Sequence, residues 1–117
     1  MFTLTRQNLL GDAYGGTLEL LASQLPLLGI RTHLLLGDDM ARLDAILSEG
    51  SELVFLETPT NPTLEIFDIH AIAKMAQEMG VMTAVDNTWS SGVLFKPLDH
   101  GVDVSIQSLT KYVCGHS

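Results

Sequence analysis

The chain has 117 residues, one domain's worth at about 100–200 residues per domain. It is 46% hydrophobic and 17% charged, which excludes a disordered tail, because such a tail lacks the apolar surface to offset chain entropy. Acidic residues outnumber basic ones 14 to 6, for a net charge of −8; this argues against nucleic acid and anionic membrane surfaces as partners, since both need clustered Lys and Arg. Cys114 is the only cysteine, so no intrachain disulfide is expected and a reducing compartment, the cytoplasm, is the natural location. No apolar run approaches the roughly 18 residues of a membrane span. Residues 1–10 show neither the apolar stretch nor the cleavage site of a signal peptide. Composition is even along the chain, with no repeat, linker or internal boundary.

In chain order, a short strand is predicted within residues 4–10. A helix follows Gly15-Gly16, carrying Leu18, Leu21, Ala22 and Leu25 on one face until Pro26 bends or ends it. Residues 30–36 read as a second strand. Residues 40–48 read as a second helix, with Leu43, Ile46 and Leu47 inward and Asp38 or Asp39 near its start. Leu53-Val54-Phe55-Leu56 is a buried strand stopped by Glu57-Thr58-Pro59. Asp68 is a good N-cap for a third helix, with Ile69, Ile72, Ala73, Ala76 and Met79 on one face and Gly80 as its stop. Residues 81–85 form another buried strand, ending at Asp86, and residues 103–107 a last one, ending at Ser108. Alternation of this kind implies an α/β fold, a mostly parallel sheet with helices on both faces. Ligands in such sheets sit beyond the carboxyl ends of the strands. That rule selects residues 57–61, 86–88 and 108–111.

Ser108-Leu109-Thr110-Lys111 puts two hydroxyls and a lysine just past a strand, in a chain with three lysines. Such a lysine suits covalent attachment to a phosphorylated aldehyde cofactor, the hydroxyls holding its phosphate. Asp86, also at a strand end, is placed to pair with a protonated ring nitrogen, the acidic partner that pyridoxal phosphate chemistry needs. By spacing alone this is a weak signal. Taken one at a time, Tyr14 reads as a helix-entry aromatic, Asn61-Pro62 as a turn, and Ser108 and Thr110 as strand-end hydroxyls. Lys74 and Lys96 read as solvated surface, His70 as structural, and Cys114 as a small packed residue. Glu57 reads as a support to the site or a plain strand-end acid. His33, His70, His100 and His116 lack metal-ligand spacing, so no metal site is assigned.

Four segments change the weight of that signal: Asp12-Ala13-Tyr14-Gly15-Gly16-Thr17, Glu57-Thr58-Pro59-Thr60-Asn61-Pro62, Val85-Asp86-Asn87-Thr88, and Ser108-Leu109-Thr110-Lys111-Tyr112-Val113-Cys114-Gly115-His116-Ser117. In identity and order they resemble the pyridoxal 5'-phosphate (PLP)-dependent transsulfuration enzymes of Cys/Met metabolism. The stretches Asp86-Asn87-Thr88-Trp89, Gly92-Val93-Leu94-Phe95-Lys96 and Asp103-Val104-Ser105-Ile106-Gln107 look most like the bacterial cystathionine β-lyase branch. The resemblance implies part of a fold-type-I PLP-dependent transferase large domain over residues 1–117. It further implies an N-terminal arm, a phosphate loop and a C-terminal domain not represented here.

By position, Lys111 matches the cofactor-binding lysine and general base, and Asp86 the partner of the pyridine nitrogen. Tyr14 matches the tyrosine that stacks on the cofactor ring near the substrate amine, and the resemblance implies a catalytic part for it too, Lys111 or Tyr14 returning the proton to the leaving thiolate. Ser108 and Thr110 match phosphate-binding hydroxyls, and Asn61 a residue near the ring's phenolic oxygen. The implied reaction is β-elimination of cystathionine to homocysteine, pyruvate and ammonia, a step of methionine biosynthesis. A γ-synthase, γ-lyase or sulfhydrylase activity is the alternative. The resemblance also implies a small amino-acid substrate and a homo-oligomer, typically a tetramer. Burial is expected to keep the Lys111 amine partly neutral. With the substrate-carboxylate clamp elsewhere, the isolated chain is expected to turn over poorly or not at all. Two other classes remain: a non-catalytic α/β module binding through open sheet edges, and a nucleotide binder, the latter poor because no glycine-rich phosphate loop follows a strand.

Overall fold

Five strands form one sheet in the order β2-β1-β3-β4-β5. They are β1 (Arg6–Leu10), β2 (Arg31–Leu35), β3 (Leu53–Glu57), β4 (Met82–Asp86) and β5 (Val104–Ile106). Every neighbouring pair runs parallel. The computed structural model describes residues 6–36 and 41–116. The expected strand start at residues 4 and 5, the helix start at Asp38, Asp39 and Met40, and the motif end at Ser117 lie outside the described residues.

Side chains alternate across the sheet, and the two faces take different helices. Val54, Leu56 and Val85 point to the face where Leu43 and Leu47 of helix α2 (Leu43–Ser48) and Ile69, Ile72, Ala73 and Ala76 of helix α3 (Ile69–Glu78) gather into the main core. Leu9 and Phe55 point to the other face, against Leu18, Leu21 and Leu25. Those three leucines lie on a helical stretch that opens with α1 (Gly15–Glu19), widens into a π turn at Leu20–Gln24 and tightens into a 3-10 turn at Leu25–Leu28. Helices thus cover both faces, as the pattern of segments predicts. Val54 and Val85 are fully buried, with Leu47 and Leu56 at 1–2% exposure; burying a side chain of this size stabilises by about 1.5–3 kcal/mol.

The ends of α3 follow their residues closely. The Asp68 carboxylate accepts the Ala71 N–H at 3.0 Å and caps the start. At the far end Gly80 takes φ +69°, its N–H donates to the Gln77 carbonyl, and the Val81 N–H reaches the Ala76 carbonyl. This is the paired termination that a glycine past the helix end permits.

Four expectations need correction. Met79 is the C-cap of α3 and is exposed, because the backbone has already left the helix there. Ala22 is exposed, since the wider π turn rotates it off the face shared by Leu18, Leu21 and Leu25. Burial of whole strands does not hold: interior β3 leaves Leu53 and Phe55 half-buried and β4 leaves Met82 exposed, while at the sheet's two edges β2 buries only Leu35 and β5 buries nothing. Finally, β5 is shorter than the predicted 103–107, because Asp103 turns its carboxylate onto Thr83, accepting from the Thr83 N–H at 2.8 Å and hydroxyl at 2.9 Å.

The chain leaves β1 for β2 on one side of it and returns to β3 on the other. At such a reversal the loops after the two central strands diverge and open a crevice at the carboxyl rim. Removing packing from the core should be costly and removing exposed leucine should not. Leu56→Ala is expected to lower unfolding free energy by about 2–5 kcal/mol, while Leu27→Ala, at 86% exposure, stays within about 0.5 kcal/mol, both measured by urea denaturation.

Candidate active site

A cavity of about 920 Å³ opens at the carboxyl rim of the sheet, within the usual range for a small-molecule site. It gathers all six residues singled out from the sequence: Tyr14, Asn61, Asp86, Ser108, Thr110 and Lys111. They come from loops after four different strands, spread over nearly 100 positions of chain. Parallel pairing brings these strand ends to one rim.

Local hydrogen bonds set their mutual positions. Asp86 ends β4, and its Oδ1 accepts the Thr88 N–H at 2.9 Å. The Thr88 hydroxyl accepts the Ser108 N–H at 2.9 Å, tying the segment after β5 to the end of β4. The Ser108 and Thr110 hydroxyls lie 3.0 Å apart, and the Lys111 N–H closes the turn onto the Ser108 carbonyl at 3.1 Å. Buried Asn87 holds the intervening loop: its N–H donates to the Ile106 carbonyl and its side-chain amide to the Phe95 carbonyl, at 2.8 and 2.9 Å. The residues that carry a carboxylate, two hydroxyls and an amine are therefore joined by one connected run of bonds.

Tyr14 is the N-cap of α1 and is 62% exposed. Its backbone N–H donates to Glu57 Oε2 at 2.8 Å. Glu57 is 3% exposed and lies beside Asp86 in the β3–β4 register. Burial pushes the Glu57 carboxyl above the ordinary glutamate range; the Tyr14 N–H pulls it down, the neighbouring Asp86 charge raises it, and the Trp89 side chain lowers it again. Glu57 also lines the cavity.

Two sequence expectations differ in degree. Asp86 is half-buried, and Lys111 is exposed on the open side of the cavity rather than buried. Cys114 is also exposed instead of packed. Thr88, Trp89, Tyr112 and His116 line the cavity as well, and Trp89 and Tyr112 face each other with ring centroids 6.0 Å apart. Thr88 falls in the strand-end stretch 86–88 selected from the sequence; Trp89, Tyr112 and His116 were not selected, although each lies within a few positions of a residue that was. Their proximity to the strand ends was the available signal. Lys74 and Lys96 are exposed, as read from the sequence. Among the described residues no cluster of His, Cys, Asp or Glu could hold a metal ion, and no helix is long and apolar enough to cross a membrane.

Comparison with known proteins agrees with the geometry. A family model described as Cys/Met metabolism PLP-dependent enzyme matches residues 8–117. The chain is 42% identical over 106 residues to a chloroplastic cystathionine beta-lyase of Mimosa pudica, a match covering 91% of this chain and 23% of that protein. The structure superposes on a cystathionine gamma-lyase from Lactobacillus plantarum complexed with L-serine, with a TM-score of 0.90 and 39% identity, covering 99% of this chain and 31% of the other. It also superposes on a putative O-acetylhomoserine (thiol)-lyase from Campylobacter jejuni that contains a pyridoxyl-lysine, with a TM-score of 0.86 and 32% identity over 95% of this chain and 27% of the other. The chain spans about a quarter of the length of the curated relatives it matches.

The raised Glu57 carboxyl predicts a pH dependence of stability. A group whose folded pKa lies above its unfolded value adds stability that is fully present below the unfolded value, 4.5, and lost as pH rises through the folded one. Wild type should therefore lose stability relative to Glu57→Gln as pH climbs from 4.5 toward neutrality. Thermal melts of both proteins at several pH values check this; parallel pH curves contradict it.

Proposed function

The chain belongs to the family of Cys/Met metabolism PLP-dependent enzymes, and from that premise we propose that it is the catalytic-lysine part of a cystathionine β-lyase large domain. The observation that carries this is the gathering of Lys111, Asp86, Ser108, Thr110, Tyr14 and Asn61 on one cavity. The donor set fits the cofactor. Two hydroxyls 3.0 Å apart suit a phosphate, and an exposed amine one residue further on suits an aldehyde. Asp86 has one oxygen committed to Thr88, and its other oxygen meets no donor among the described residues, so it is free to face a ring nitrogen. PLP, when bound, supplies an aldehyde for covalent attachment of amines and a ring that withdraws electrons from the substrate's α-carbon.

The chain's own groups do the rest. Asp86 would keep a proton on the ring nitrogen, preserving the electron demand of the ring. Ser108 and Thr110 would hold the phosphate end, Asn61 would serve the phenolic oxygen, and the Tyr14 ring would stack on the cofactor. Displaced from the aldehyde by the substrate's amine, the Lys111 amine would take the α-proton of the amino acid as general base, and Lys111 or Tyr14 would return a proton to the sulfur leaving the β-carbon. Bond cleavage leaves homocysteine as the thiol product and a three-carbon remainder that hydrolyses to pyruvate and ammonia. The described lining of the cavity contains no arginine, so the substrate's α-carboxylate lacks a bidentate partner there. Turnover by this chain alone is accordingly slow or absent. Exposed apolar side chains on the edge strands, Leu34, Val104 and Ile106, support its working within a larger assembly, a homo-oligomer.

The likeness to a gamma-lyase favours one second reading, γ-elimination or γ-replacement on the same site. Product analysis separates them: β-elimination of cystathionine releases pyruvate, γ-elimination releases 2-oxobutyrate. For the cofactor site itself, PLP added to the chain is expected to give a visible band that borohydride fixes onto Lys111. Lys111→Ala should abolish both band and label. A label mapped to Lys74 or Lys96, or none, would turn the reading toward a non-catalytic α/β module.

A further inference from the structure

We propose that Glu57 is a positioning residue for the cofactor cleft: by accepting the Tyr14 backbone N–H it keeps the Tyr14 ring on the cavity wall it shares with Asp86. The inference rests on the reading of that cavity as the PLP site and extends it to a residue with no assigned role.

The Tyr14 carbonyl accepts the Thr17 and Leu18 N–H at 2.8 and 3.1 Å, which ties it to the start of α1, and the preceding Ala13 is buried against Leu9 and Leu21. No side-chain cap bond forms at the start of that helix. The 2.8 Å bond from the Tyr14 N–H to Glu57 Oε2 adds a tether to the sheet itself, with Tyr14 at φ −50° and ψ 135°. The acceptor is itself rigid. Glu57 closes β3, is 3% exposed and pairs in register with Asp86 on the neighbouring strand. Residues paired in a parallel ladder lie on the same face, so the carboxylate that sets Tyr14 and the carboxylate assigned to the ring nitrogen have a common base. A buried acid whose reach, rather than its charge alone, is used at this point explains why a glutamate is tolerated in so enclosed a position.

Two isosteric tests separate reach from charge. Glu57→Gln keeps the length and a carbonyl acceptor while removing the charge. Glu57→Asp keeps the charge but withdraws the acceptor by one methylene. The 117-residue chain and each variant are titrated with PLP, following the visible band, its induced circular dichroism and the borohydride-fixed label on Lys111. Glu57→Gln is expected to bind within about threefold of wild type with the same induced dichroism. Glu57→Asp should bind about tenfold more weakly with reduced dichroism, because the ring wall is no longer fixed. In a Tyr14→Ala background Glu57→Asp should have no further effect, as expected when one residue acts only through another. Wild-type behaviour of Glu57→Asp, a loss in Glu57→Gln equal to that in Glu57→Asp, or a persistent effect in the Tyr14→Ala background overturns the inference alone. Failure of wild type to acquire the Lys111 label overturns the reading of the cavity on which it rests.

Discussion

Parallel pairing of β3 with β4 ends on Glu57 opposite Asp86, and the site is organised around that pair of acids. Adjacent carboxylates on one face of a sheet repel, and water is kept from one of them. The arrangement persists because each acid has backbone donors: Tyr14 for Glu57, Thr88 for Asp86. Those donors belong to the loops that carry the remaining groups. Satisfying the acids therefore also fixes the loops. From Thr88 the bonding continues to Ser108 and, through the turn that Ser108 opens, to Lys111.

The same rim explains the polarity of the molecule. At the amino ends of the strands, buried Arg6 bonds the Glu49 carbonyl and carboxylate at 2.7 and 2.9 Å. At the carboxyl ends, polar side chains line an open cavity. A cavity flanked by acids with a single lysine on its open side is suited to a ligand that is anionic at its phosphate and cationic at its ring nitrogen. Ser108 and Thr110 would face the first and Asp86 the second. Charge alone separates the two ends of such a ligand, which gives it one orientation.

Most elements were legible from local signals. The Asp68 cap and the Gly80 stop bracket α3 because capping is settled within a few residues. The apolar runs of β3 and β4 were legible because each is stopped by polar residues. Legibility failed where a residue's fate depends on what lies beside it in space. Ala22 is turned outward by a change of helical winding, Asp103 is drawn out of β5 by Thr83, and the apolar residues of β2 and β5 stay exposed because those strands are the edges. Exposure of Lys111 and Cys114 belongs to the same class, since nothing in their neighbouring residues reports how far the following turn lies from the core.

By itself the sequence determined the fold class, the choice of the strand ends as the place to look and six of the residues that line the cavity there, because those follow from periodicity, from stop signals and from motif identity. Tertiary structure alone decided the sheet order, the pairing of Glu57 with Asp86 and the bond by which Glu57 holds Tyr14. The last of these joins residues 43 positions apart, and all three draw on contacts whose energy exists only once strands have chosen neighbours.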